Sequence, residues 1–493
     1  NIKARGLRAW LLAKLGKEKA AARMLEDNLE LDPFDFVSGF EAIKAENDSE
    51  KKQKMLDDLN GLMRNFQENY LMTARDFAQW GAYEDAVLVL KQCTKKYPML
   101  YYYAAYYEEK MGEDEAAKKS LEKAESCAFD YCFPNKLDDI AVLTFAIENG
   151  CKKKAPYYLG NLFYDKLQWK KSVELWEMSE KADDTFSIVH RNLALAYYNK
   201  MGDSKAAKRE LEKAFSLNRK DARIFLELDQ LYKKLGYSFK ERLAKYDEDP
   251  SLAESRDDLY IEYITLMNMC GEYERAYRCI MGRRFHPWEG GEGKITTQYT
   301  ISLLEMAKQC LASEKYEQAE KLLKKALVYP ENLGEGKLEG TKDNHLFYHL
   351  GLALEAQGKH DEAKTCFETA TIGTDEPAGA MYYNDQPADM ILYQGLAFEK
   401  LGKTREAKSR FYRLIDYGEQ HLNDEGKIEY FAVSLPDFLI FDEDYTKKNR
   451  AHCCYLMALG NIGLQNREKA AEFLNEALEI EPSHMMATLY QKQ

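Results

Sequence analysis

Between Phe347 and Ala370 the chain reads FYHLGLALEAQGKHDEAKTCFETA, with small and apolar residues recurring every three or four positions on both sides of Gly358. That spacing places them on one face of a helix, so the stretch predicts two amphipathic helices joined at a glycine turn. Phe347, Leu350, Gly351 and Leu354 belong to the first helix, and Ala363, Phe367 and Ala370 to the second. The residue types suit close packing. Gly and Ala let two backbones approach, and a large side chain from one helix fills the groove beside the small residue of the other.

The same pattern recurs along the chain. The first hairpin closes with LGKEKAAARMLEDNLELDP, where Gly16 makes the turn, Ala21 and Leu25 face inward, and Pro33 ends the helix by removing a backbone donor. Residues 34 to 68 break the period and carry a charged run from Glu46 to Lys54, which reads as one longer helical insertion with a solvated face. Tyr70, Phe77, Gly81, Tyr83, Ala86, Leu90 and Pro98 mark the next copy. Two stretches, YYEEKMGEDEAAKKSLEKA and YYNKMGDSKAAKRELEKA, are alike enough to imply internal duplication. Between them lie a helical segment near Leu137 to Asn149 and a copy marked by Leu159, Gly160, Phe163, Trp169 and Trp176. YYYAAYY, from Tyr101 to Tyr107, reads as a packed helix face with phenol tips at the groove. From Asp221 the signature weakens, and YDEDPSLAESRDD holds a proline and several carboxylates without apolar period. The predicted organisation is therefore an array over 1–246, a joint over 247–259 and a second array over 260–493. Further copies run through Tyr260 to Ile280, Tyr299 to Ala326, Ile391 to Leu414 and Cys454 to Pro482.

The aromatic, Leu, Gly, apolar, Gly, Ala, Phe, Ala order of the Phe347–Ala370 stretch resembles the tetratricopeptide repeat. That resemblance implies an all-α fold, a right-handed α-solenoid of tetratricopeptide-like helical hairpins. By length alone, 493 residues would suggest about three globular domains of roughly 150 residues. In a solenoid each hairpin buries its apolar face only against its neighbours, so one core can run the length of the array.

Composition narrows the function. A net charge of −13 and a pI near 5.4 argue against a general nucleic-acid binder, which needs clustered positive charge to displace counterions. The ten cysteines form no CxxC and sit mostly inside helical patterns, which fits reduced thiols and a cytoplasmic location. No run of 18 or more apolar residues occurs, so no membrane span is expected. The chain starts at Asn1 rather than Met, as a piece of a longer protein would.

Candidate chemistry lies in linkers longer than hairpin connections require. They are RRFHPWEGGEGK at 283–294, YPENLGEGKLEG at 329–340, AMYYNDQPAD at 380–389 and FAVSLPDFLIFDED at 431–444. The first two share GEGK one repeat apart, which places both on the same edge of a solenoid. Glycine permits close backbone approach, His286, Glu289, Glu292 and Glu335 offer polar contacts, Lys294 and Lys337 offer donors, and Trp288 offers a flat face. With Tyr382, Tyr383, Asn384 and Asp385, this set suits a sugar, a polyol or a peptide carboxylate. The plainer alternative is that the glycines only permit turns and Trp288 plugs an apolar gap.

Other chemistries are weaker. GEGK is no phosphate loop, since GxxxxGK[ST] is absent. His345 and His349 stand one helical turn apart, but no third metal ligand can be named. Carboxylate pairs such as Asp437 with Asp442 are expected by chance among 83 Asp and Glu residues. No GxSxG occurs. No catalytic residue, metal or cofactor is expected.

RRFHPWEGGEGK, YPENLGEGKLEG, MYYNDQP and SLPDFLIFDED, with APYYLGNLFYD and ERLAKYDEDP, also resemble a bacterial family in which a β-rich, galactose-mutarotase-like domain precedes a long tetratricopeptide array. The resemblance implies that this chain is the helical part of a larger, carbohydrate-related protein. It brings no catalytic residue onto this chain. Two functions follow as expectations. One is a scaffold binding a protein or peptide, foremost the β-rich domain of the same protein. The other is a carbohydrate-binding or carbohydrate-processing subunit with a site near Trp288. If the hairpin assignment is right, Ala363→Phe overpacks its helices and costs about 1–3 kcal/mol, read as a lowered unfolding midpoint; an unchanged midpoint contradicts it.

Overall fold

A computed structural model describes residues 1–288, 290–379, 386–426 and 440–492. Among these residues the regular structure is helical throughout, and the chain divides into two compact units, Asn1–Ala196 and Tyr197–Gln493. Each unit is an α-solenoid of antiparallel hairpins, every hairpin packed on the next.

The first unit opens with the pair Ile2–Lys14 and Glu18–Leu31. Residues 34 to 68, expected as one long insertion, instead fold into a second hairpin, Phe36–Ala45 with Ser49–Met63. The charged run contains the turn. Asp48 accepts from the Lys51 N–H and starts the second helix, a capping role that a count of charges does not reveal. Further along, the tyrosine-rich helix Pro98–Lys110 buries Tyr102, Tyr103 and Tyr107. Two of its phenols are anchored by carboxylates, Tyr102 donating to Glu125 at 2.5 Å and Tyr103 to Asp139 at 2.6 Å.

The second unit holds the most regular copies. Its hairpins pair Asp257–Cys270 with Tyr273–Met281, Lys294–Ala312 with Tyr316–Ala326, and Asn344–Ala356 with His360–Ala370. Met390–Lys400 then pairs with Thr404–His421, and Tyr445–Gly463 with Arg467–Ile480, before a short last helix, Met485–Gln491. Residues 247–259, read from sequence as a joint, lie inside this unit and include the helix Pro250–Glu254. A buried ion group holds the neighbouring helices together: Arg242 donates to Asp229 at 2.8 and 2.6 Å and to Glu262 at 2.6 Å. The carboxylates of the expected joint are engaged too. Asp247 accepts from the Tyr263 hydroxyl and from Arg275, and Asp258 pairs with Arg256.

One contact recurs inside the hairpins. An aromatic ring of the second helix lies directly on a glycine of the first, so that a methyl group at Gly160, Gly351 or Gly395 would fall 2.5, 2.5 or 2.3 Å from Trp176, Phe367 or Phe411. All three rings are buried. Any side chain at these glycines must expel the ring or separate the helices. Gly351→Val should therefore lower stability by about 1–3 kcal/mol, and pairing it with Phe367→Leu should recover part of the loss, because neighbours that share space are not additive. Urea unfolding of the two single variants and the double variant checks this; strict additivity contradicts it.

Candidate functional site

The two GEGK loops form one body on the edge of the second unit. The Phe285 N–H donates to the Asn332 carbonyl at 2.8 Å, while the Asn332 amide donates to the carbonyls of Ile280 and Arg283, both at 2.9 Å. Gly334 adopts φ 74° with its backbone pressed against Phe285, where a methyl would sit 2.5 Å from the carbonyl oxygen. A left-handed φ and that approach leave room for glycine alone. The Gly293 N–H reaches across to Glu335 at 2.8 Å.

This docking engages several of the predicted side chains. Lys337 donates to the Leu327 carbonyl at 3.0 Å, pairs with Asp343 at 2.5 Å and stands 5.0 Å from the Tyr329 ring. Glu292 accepts from the Gly290 N–H at 2.7 Å. Glu335 holds the loop through one oxygen while the other is enclosed without a hydrogen-bond partner among the described residues. Burial pushes its carboxyl above the ordinary range, and the charge of Glu292 adds to that. Trp288 lies half-buried against Gly291, with the Lys294 ammonium 5.8 Å from its ring. The His286 ring is exposed and stands 3.4 Å from Asp257, which also accepts the His286 backbone N–H at 2.8 Å. Glu289 and the Tyr382, Tyr383, Asn384 and Asp385 group lie outside the described residues.

Trp288 also borders an open depression of about 330 Å³ with Arg256, Asp257 and Asp258. Sequence reasoning assigned those three to a joint and so missed them; their one signal was charge at the start of a helix. The arrangement offers an indole face beside an Arg256–Asp258 pair at 2.6 Å.

A second candidate surface lies inside the same unit. Short Met485–Gln491 packs against the Asp257–Cys270 helix, its Leu489 sits with Met269 and Ile301, and its Tyr490 meets Tyr393 and Tyr455. A seven-residue helix is only about 10 Å long, whereas packed helices stand about 8–10 Å apart. It can touch the first helices of four hairpins only if they curl around it, so these first helices line one inner face.

The inner face is aromatic with enclosed polar groups. Tyr455 donates to Asp389 at 3.3 Å, and Lys308 pairs with Glu305 at 2.7 Å. His349 Nδ1 donates to the His345 carbonyl at 2.7 Å, and His345 Nδ1 is enclosed without a hydrogen-bond partner among the described residues. Burial pushes both imidazoles down to about 3, with the nearby charges of His349 and Lys308 adding to the shift of His345 and Lys308 to that of His349. Burial likewise lowers His452 and His484 to about 4 and raises Asp389 to about 6. The turn-spaced histidines were noticed in the sequence as a metal pair without a third ligand; here one ring is bonded to the backbone of its own helix. Tyr393, Tyr455 and Tyr490 were not singled out, because a tyrosine at helical spacing reads as packing, and Asp389 was named only as the end of the 380–389 linker.

Tetratricopeptide-repeat family models match residues 192–221, 345–371 and 451–484, and a further one matches 389–417. The chain thus carries tetratricopeptide repeats, the 345–371 match coinciding with the hairpin that set the sequence pattern. Among solved structures, the yeast Tom70 crystal structure is similar at 11% identity over 100% of this chain and 94% of that one, with a TM-score of 0.29. A tetratricopeptide repeat protein from Parabacteroides merdae shares 18% identity over 58% of this chain and 98% of that one, with a TM-score of 0.25. The P58(IPK) TPR domain shares 13% over 82% and 99%, with a TM-score of 0.22. Likenesses this distant bear on no site or partner.

Two outcomes follow. Asn332→Ala removes the donor to two carbonyls and should cost about 1–3 kcal/mol, measured by thermal unfolding; an unchanged midpoint would mean that the loops are not latched there. Acidification is the second. These four histidines take up protons near pH 6.5 when unfolded but only at about 3 or 4 when folded, so their contribution to stability is full above about pH 6.5 and falls progressively below it. Asp389, raised to about 6, works in the opposite direction, as do carboxyls such as Glu335 and Asp343 that burial also raises. The unfolding midpoint should drop between pH 7 and about 4.5, less so in His349→Gln; a midpoint that rises contradicts the assignment.

Proposed function

We propose that the chain is a protein-interaction scaffold whose second unit holds a polypeptide segment on its inner face. The single observation that carries this reading is that a segment of the chain itself, Met485–Gln491, is gripped there by side chains from several hairpins. Rigid helices supply Met269, Ile301, Tyr393 and Tyr455 as an apolar and aromatic band, and the polar groups Gln298 and Lys308 border or adjoin it. Such a surface favours polypeptide over a small solute, because aromatic area set in a rigid frame binds at low entropic cost. The partner we propose is the β-rich domain expected to precede this array in the full-length protein, a bacterial, carbohydrate-related one.

A carbohydrate-binding role is the second reading, and one observation favours it: the Trp288 ring borders an open depression beside Arg256, Asp257 and Asp258. An indole face flanked by hydrogen-bonding groups suits a sugar ring. The two readings part cleanly in one calorimetric series with the separately expressed β-rich domain and a set of neutral glycans. The scaffold reading expects the domain to bind at tens of micromolar or tighter, with the affinity unchanged in Trp288→Ala. No heat with the domain at those concentrations contradicts it, and a glycan signal abolished by Trp288→Ala would move the function to the loop site.

A further inference from the structure

We propose that residues 130–137, on the first unit, pair with the same residues of a second copy of this chain about a two-fold axis, a contact beyond the scaffold reading of the second unit. The segment joins the helix Asp114–Ser126 to the helix Leu137–Glu148 and is held from within. Cys132 and Pro134 are buried. One oxygen of Asp139 accepts the Asn135 and Lys136 N–H groups, both at 2.8 Å, and the other accepts the Tyr103 hydroxyl at 2.6 Å. With alternate residues turned inward, the intervening ones face water. Tyr131 and Phe133 are 87% and 67% exposed, and Leu137, the first residue of the next helix, is 83% exposed. No other seven-residue stretch among the described residues exposes three large apolar side chains.

Apolar side chains fixed in water by an anchored backbone mark a contact surface. Tyr131 adds a second sign, because its φ of 55° is a left-handed conformation that strains a bulky residue and suits glycine or asparagine. Folding alone does not ask for an exposed ring at that position. Charge selects the occupant. Asp130 and Lys136 flank the segment at equal distance from Phe133. In an antiparallel pairing centred on Phe133, residues equidistant from it on opposite sides meet, so Asp130 of one copy faces Lys136 of the other at both ends. The Phe133 rings meet on the axis. Pro134 has no N–H to give to a strand ladder, so the copies join through side chains. An anionic membrane fits less well, since Asp130, Asp138 and a net charge of −13 oppose it. Size agrees with a pair of copies. The exposed parts of Tyr131, Phe133 and Leu137 come to roughly 400–500 Å² per copy. At the roughly 60% apolar share of typical interfaces, they form the centre of about 700–800 Å² per partner, the area that specific pairs bury.

Sedimentation velocity of the full chain from about 1 to 200 μM should show a reversible dimer with a Kd of about 1–100 μM. Phe133→Ser with Leu137→Ser should leave the chain monomeric over that range, with its helical circular dichroism unchanged. Two charge variants keep the test decisive should that one misfold. Asp130→Lys puts like charges at both ends of the segment, and so does Lys136→Asp, so each alone should pair at least about tenfold more weakly. Lys136 stands at the cap of the next helix, where aspartate is favoured, so its replacement spares the fold. An equimolar mixture of the two charge variants should pair again as a heterodimer, because each end then meets its opposite. A mixture that stays monomeric, an unaltered chain still monomeric at about 200 μM, or a dimer indifferent to Phe133→Ser with Leu137→Ser overturns the proposal. Flotation with neutral and anionic lipid vesicles covers the other occupant. A monomeric chain that floats with vesicles, and no longer does so with Phe133→Ser and Leu137→Ser, would assign the segment to a membrane surface and overturn the pairing.

Discussion

The distance between the two helices of a hairpin is set where an aromatic ring rests on bare glycine backbone. At Gly351 and Phe367, and again at Gly395 and Phe411, even one methyl group would overlap the ring. Packing at that density tolerates little variation in volume, so the ring fixes how far apart the helices lie and how they are rotated. Each hairpin then presents its first helix to the next hairpin at a constant offset. In the second unit this contact sets two of the hairpins, those of Gly351 with Phe367 and Gly395 with Phe411.

Two surfaces arise from this frame in different ways. On the edge, connections longer than the hairpins need are latched together through Asn332, Gly334 and Glu335. Their own bonds occupy Lys337, Glu292 and one oxygen of Glu335, so the side of the loops facing solvent is carried by His286, Trp288 and the charged cluster at 256–258. On the inner face the side chains come from helices instead. They hold polar atoms away from water, which drives the histidines toward neutrality and Asp389 toward protonation. Neutral imidazoles inside an aromatic lining leave fewer full charges to desolvate when a polypeptide covers the surface, and Lys308 there is already paired with Glu305.

The hairpins could be read from the sequence because their determinants are local: a glycine turn, a small residue opposite a ring, a period near 3.6. The Phe347–Ala370 pattern gave both helices of its hairpin to within a few residues. Residues 34 to 68 misled because charge masked a capping aspartate, and the pairing of Arg242 with Asp229 and Glu262 runs between helices, where no local pattern records it. The spacing of the GEGK loops suggested a shared edge, whereas their contact with each other and the uses of Lys337 and Glu335 were not legible, since a sequence does not say which charges face inward. Least visible was the inner face. Tyr393, Tyr455 and Tyr490 are far apart in the chain and meet only because the hairpins curl.

The account's central claim is that this inner face is where polypeptide is held. A photo-reactive phenylalanine analogue placed at Tyr393 in the full chain tests it most directly, because Tyr393 stands at the contact between the lining helices and the 485–491 segment. Irradiation of the resting chain should yield an internal crosslink to residues 485–492. Addition of the β-rich domain should replace that product with a crosslink to the domain. An internal crosslink that persists unchanged under saturating domain, or none at all from this position, would contradict the account.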